Sequence, residues 1–139
     1  MNCQPATPRL LQGESGRPHE PPVRRGDGGT GVAGLRCVAC HTAANFDAVG
    51  LPGNAHWHLA PASMAWEGRS LAQICAQIKD PARNGNRPLA KIVDHMKTDP
   101  LVAWAWDPGA GRTAAPGTQA AFGALIEAWV SSGAVCPTP

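Results

Sequence analysis

The stretch "LRCVACHT", residues 35–42, decides how the rest of the chain is read. It sets Cys37, Cys40 and His41 in the order C-x-x-C-H. Two thiols about one helical turn apart can each add to a vinyl group of one haem. The adjacent histidine then lies beneath the iron as proximal axial ligand. On that reading Cys37 and Cys40 are thioether anchors and His41 is the fifth ligand. Three rivals use parts of the same pattern. Cys37 and Cys40 with His56 and His58 make a Cys₂His₂ zinc set, which would stabilise an interaction module. That set leaves His41 unexplained, and its H-x-H pair lacks the usual finger spacing. A redox dithiol normally follows a strand, and the preceding "GTGVAGLR" is not one. The plainest rival is a structural cysteine pair.

Working outward from the motif, the 139 residues make one domain with a tail. Five Trp, two Phe and no Tyr leave the interior short of large aromatic surface, a gap that a planar cofactor would fill. The net charge of +2 sits upstream: residues 1–36 carry five Arg against three acids, while seven bases and seven acids balance from 37 onward. A broad basic face for nucleic acid is therefore not expected. No run approaches the roughly 18 apolar residues of a membrane span. No signal peptide opens the chain, although C-x-x-C-H receives haem outside the cytoplasm. The expectations are a mature or truncated form, a misassigned start, or a protein that is not exported; the haem reading itself points to the periplasm.

Residues 1–34, rich in Gly and Pro, read as an extended or disordered segment ahead of a domain at 35–139. The body shows helical patterning without strand alternation. A short helix is expected at about 35–45. "SLAQICAQIK" opens with a capping box, Ser70 and Gln73, and Pro81 ends it. Leu89, Ile92, Val93 and Met96 repeat the helical spacing after Pro88. Thr118 caps a last helix with Phe122, Leu125, Ile126, Trp129 and Val130 on one stripe, and Gly133 stops it. The expected fold is all-α and cytochrome-c-like: three to four helices with long loops around a haem.

A sixth ligand opposite His41 has five candidates: Met64, Met96, His56, His58 and His95. Met96 falls on the apolar face of a helix, the histidines read as surface groups, and Met64 sits in the Pro-bounded loop "APASMAWEG" beside Trp66. The reading takes Met64. Without a sixth ligand the iron would be five-coordinate, which suits a sensor or an enzyme. Cys75 lies on a helix and Cys136 just past the last one; they form either a bridge that pins the tail or two buried thiols. Cys3 has no evident partner.

Three longer stretches carry a resemblance: "RCVACHTAANFDAVGLPGNAHWHLAPASMAW", "ICAQIKDPARNG" and "FGALIEAWVSSGAVCP". From about His19 to Pro137 the chain resembles small bacterial c-type cytochrome-like proteins of the isoquinoline 1-oxidoreductase subunit family. The resemblance implies covalent haem c, single-electron transfer without substrate chemistry, and a redox partner that the family name suggests is a molybdenum hydroxylase. It places the family's methionine on Met64 and its two later cysteines on Cys75 and Cys136. Family members carry an earlier C-x-x-C-H that opens with Met-Asn-Cys. Here Met1, Asn2 and Cys3 are followed by Ala6 and Thr7 where the second Cys and the His belong, so one haem is expected.

Overall fold

A computed structural model describes residues 9–12 and 16–138. The remnant at Cys3, Ala6 and Thr7 lies outside the described residues. Four two-residue strands come first: β1 (Leu11–Gln12), β2 (Arg17–Pro18), β3 (Gly31–Val32) and β4 (Leu35–Arg36). β1 pairs antiparallel with β2, Leu11 opposite Pro18, and β3 with β4, Val32 opposite Leu35. Four α-helices follow: α1 (Leu71–Lys79), α2 (Leu89–Thr98), α3 (Pro100–Ala103) and α4 (Gln119–Ser131). Single 3₁₀ turns punctuate the loops, among them Cys37–Ala39, Asp47–Val49 and Ala62–Met64.

The all-α, cytochrome-c-like expectation is overturned. Helix makes up about 40 % of the structure, beside two small antiparallel sheets. Strands of two residues are too short to show the alternation by which a sequence announces a sheet. Over its described residues the Gly/Pro-rich segment is not simply extended or disordered chain either. Gly34 adopts a left-handed φ of 82° in the two-residue turn between β3 and β4, which glycine enters without steric penalty. That hairpin spans the point where the sequence divides 1–34 from 35–139. The helix expected at 35–45 is reduced to the turn Cys37–Ala39. Beyond it, polar side chains engage the backbone: Thr42 Oγ1 donates to the Ala44 carbonyl and Asn45 Oδ1 accepts from Gly53 N. Such local bonds compete with helix.

Elsewhere the caps form as the sequence suggests. Ser70 Oγ accepts from Gln73 N while Gln73 Oε1 accepts from Ser70 N. Thr118 Oγ1 accepts from Ala121 N at the head of α4. α2 and α4 pack together, tied by Lys97 Nζ to Glu127 at 2.9 Å and by Gln119 Nε2 donating to the Met96 and Asp99 carbonyls. Cys75 on α1 is disulfide-bonded to Cys136, and Lys79 Nζ donates to the Ala134 carbonyl at 2.8 Å. Of the two readings of that cysteine pair, the bridge is the one that forms. Among the described residues the buried apolar side chains are few: Trp57, Leu59, Cys75, Ile92, Val93 and Ala134. Leu125, expected on the apolar stripe of α4, is 69 % exposed.

Candidate functional site

β4 delivers the chain directly into the C-x-x-C-H turn, so the stretch "GTGVAGLR", expected not to be a strand, pairs as a short hairpin, and that ground against a redox dithiol falls. The Cys37 carbonyl accepts from both Cys40 N (3.2 Å) and His41 N (2.9 Å), so one turn gathers all three motif residues. Cys37 is partly buried, Cys40 is exposed, and both thiols are free. Burial pushes the Cys37 thiol up from its ordinary value, against its own backbone N–H and the nearby Arg25 and Arg36. It is therefore protonated at neutral pH and not a poised thiolate, which counts against a reactive dithiol.

His41 is 7 % exposed. Its Nδ1 lies 2.8 Å from the Pro52 carbonyl oxygen. A carbonyl can only accept, so Nδ1 carries the proton and the Nε2 lone pair remains for another partner. Burial lowers the pKa of His41, more than the Pro52 bond raises it, and keeps the ring neutral. The ring stacks on Trp57 with centroids 4.2 Å apart and planes 5° apart, and Trp57 is in edge contact with Trp104. The edge of His19, from the upstream segment, stands 6.0 Å away. Pro52 is presented by a closed loop: Phe46 and Leu51 exchange backbone bonds, and Gly53 N donates to Asn45 Oδ1. That same oxygen accepts from Trp104 Nε1, while Asn45 Nδ2 donates to the Pro108 carbonyl.

Met64 ends the turn Ala62–Met64, half-buried. The loop leading to it meets the motif at Gly29, whose carbonyl accepts from Leu59 N at 2.9 Å and faces the Cys37 thiol at 3.9 Å. Gly29 has a φ of 71°, and a Cβ there would stand 2.2 Å from the Leu59 oxygen, so no other residue fits this crossing. Arg25 adds a bond from its guanidinium to the Ala60 carbonyl.

The zinc set does not assemble. Among the described residues no group of three or more His, Cys, Asp or Glu is placed to hold a metal ion. His56 is exposed and offers its carbonyl to His58 Nδ1. His95 is engaged by Asp99 at 3.1 Å, and Met96 is half-buried on α2.

For a haem, the donor set fits on three counts. Two unoxidised thiols one turn apart are what thioether attachment uses, and a neutral imidazole with its lone pair on Nε2 is what iron takes. Val38 inside the motif, and Phe46 and Val49 a few residues after it, are 52 %, 57 % and 61 % exposed, apolar surface available to such a group. Trp66 Nε1 and Arg83 Nε are buried donors with no partner among the described residues. Sequence reasoning missed Pro52, Asn45 and Gln77. Gln77 carried a signal: a polar residue three positions after Ile74, on the apolar face of α1.

No family model, characterised protein or solved structure matches this chain. Among the described residues no helix is long and apolar enough to cross a membrane.

Proposed function

We propose that the chain carries one haem c and serves as a single-electron carrier for a redox partner protein, outside the cytoplasm. The observation that carries this reading is the bond from His41 Nδ1–H to the Pro52 carbonyl, in a ring clamped against Trp57. It fixes the tautomer, holds the ring plane and raises the basicity of Nε2, which is what a proximal ligand needs. Cys37 and Cys40 would hold the group by thioethers, His41 through Nε2, and Met64 through its thioether sulfur. When bound, haem supplies an iron that changes charge by one electron. Trp57, Trp104 and the Asn45-stitched loop exclude water from the His41 side, which favours the less charged ferrous state. The Cys75–Cys136 bridge is of a kind kept in oxidising compartments, and so supports the periplasm. The resemblance to the isoquinoline 1-oxidoreductase subunit family extends the proposal to a molybdenum hydroxylase as partner.

The test is attachment. Protein matured with haem-lyase machinery should keep its colour after denaturation and acid extraction, and gain the mass of one haem. Cys37→Ala or Cys40→Ala should weaken that attachment. Colour lost wholly to organic solvent, with the mass of the bare chain, overturns the reading.

A further inference from the structure

Gln77 is buried on α1, 4 % exposed, in a place where packing alone would favour an apolar side chain. Its Nε2 donates to the Ser63 carbonyl at 3.0 Å and to the Ala65 carbonyl at 3.3 Å. Those are the carbonyls of the residues on either side of Met64. Its Oε1 is buried with no partner among the described residues. The amide is thus desolvated, spends both its bonds on the backbone around one methionine, and leaves its acceptor unused. A buried acceptor without a partner is costly, and a leucine here would avoid that penalty only by leaving the Ser63 and Ala65 carbonyls without their donor. The amide is kept for those two bonds.

The surroundings make the clamp stiff. Ser63 Oγ donates to the Arg83 carbonyl at 2.5 Å, Met64 N bonds to the Pro61 carbonyl, and Arg69 N bonds to the Trp66 carbonyl. α1 is capped at Ser70 and stapled through Cys75, two residues before Gln77, to Cys136. A shift of residues 63–65 relative to α1 therefore breaks the Gln77 bonds.

We propose that Gln77 is the positioning residue for Met64: it fixes the backbone of residues 63–65 so that the thioether is offered to the haem iron as a sixth ligand. This rests on the haem reading above. A thioether is a weak, neutral ligand, easily displaced by hydroxide or by a nitrogen base, so its retention depends on how firmly its backbone is held.

The experiment uses the full chain matured with haem, and compares wild type, Gln77→Leu, Gln77→Glu and Met64→Ala. The readouts are the weak far-red sulfur-to-iron band of the ferric protein, the pH at which it bleaches, and the reduction potential. Gln77→Leu should keep the covalent haem and the helical circular dichroism, yet lose the band or bleach at a hydroxide concentration at least about tenfold lower, as two lost hydrogen bonds predict. Gln77→Glu should hold the band while its buried carboxyl is protonated and can donate, and lose it as the carboxylate forms and repels the two carbonyls. Should Gln77→Leu fail to fold, that titration decides alone. A wild-type bleaching pH in a folded Gln77→Leu, or a pH-independent band in Gln77→Glu, overturns the proposal. A wild type without the band, unchanged by Met64→Ala but with haem still covalent, overturns it by removing Met64 as ligand and leaves the attachment reading standing. Absence of covalent haem overturns both.

Discussion

Single side chains with several bonds hold the candidate site. Asn45 accepts from Gly53 N and Trp104 Nε1 and donates to the Pro108 carbonyl, joining the loop that offers Pro52 to the tryptophans beside His41. Asn45→Ala leaves two donors without an acceptor, so urea denaturation should show a loss of about 1–3 kcal/mol. Asn45→Asp keeps the acceptor and should lose less; equal losses would mean that the Pro108 bond matters most. His95 sets a pH dependence of its own. Burial pushes its pKa below the ordinary 6.5, Arg87 pushes the same way, Asp99 pulls back by charge and hydrogen bond without winning, and His58 adds slightly to the lowering. The unfolded chain therefore takes the proton first. The contribution is fully present above the unfolded value and is lost as pH falls through the folded one. His41, lowered mainly by burial, acts in the same direction. Unfolding free energy of the haem-free protein should fall on acidification from about pH 7 to about pH 5. His95→Gln should flatten part of that slope; an unchanged slope would assign the effect to His41 alone.

Elements were legible in proportion to their length and to the chemistry at their ends. α1 and α4 begin at Ser70 and Thr118 because those hydroxyls meet orphan backbone donors, a local rule that sequence displays. The two-residue strands obey no such rule. β3 and β4 pair where Gly34 turns the chain, just after Gly29 admits the Leu59 backbone, which is a tertiary fact. At the site, the motif residues were legible as a cluster, whereas Pro52 and Gln77 act through a carbonyl and an amide that composition does not single out. The buried face of α4 was misread for a related reason. It packs tightly on α2 at the buried Gly123, while Leu125 is exposed: a Cβ on Gly123 would stand 2.4 Å from Lys97 Cγ and 3.1 Å from Lys97 Cα. Gly123→Val should destabilise by about 1–3 kcal/mol, since the Lys97 backbone cannot swing aside. An increase in melting temperature would show that α2 yields. The link from α1 to the tail is the Cys75–Cys136 bridge, 61 residues apart in sequence. Replacing both with alanine should cost about 2–4 kcal/mol by freeing the unfolded chain; an unchanged urea midpoint would mean that Lys79 and Ala134 hold the tail unaided.

At the scale of the whole molecule, the described residues bury little apolar surface. None has a fully buried large side chain, while Val38, Phe46 and Val49 stand exposed around the motif. Stability of a chain this size depends on a modest surplus of burial over conformational entropy. The upstream segment adds few apolar contacts and reaches the site through His19, Arg25 and Gly29. Without the proposed haem the protein should therefore be marginal, and loosest between β1 and the motif. Protein made without haem-lyase machinery should unfold at low urea, bind a hydrophobic dye, and be cut by protease first within residues 16–36. If haem is attached as proposed, it would tie a large apolar body to Cys37 and Cys40, and it could not dissociate on unfolding as a free ligand would. The gain is then not the concentration-dependent one of reversible binding, but the burial gained by Val38, Phe46, Val49 and the group itself. Matured protein should melt at a temperature independent of added haem, well above the haem-free form, with protection spreading upstream to β1 and β2. Equal melting temperatures for the two forms would mean that the chain closes its own core. The exposed patch at Val38, Phe46 and Val49 would then belong to another surface altogether.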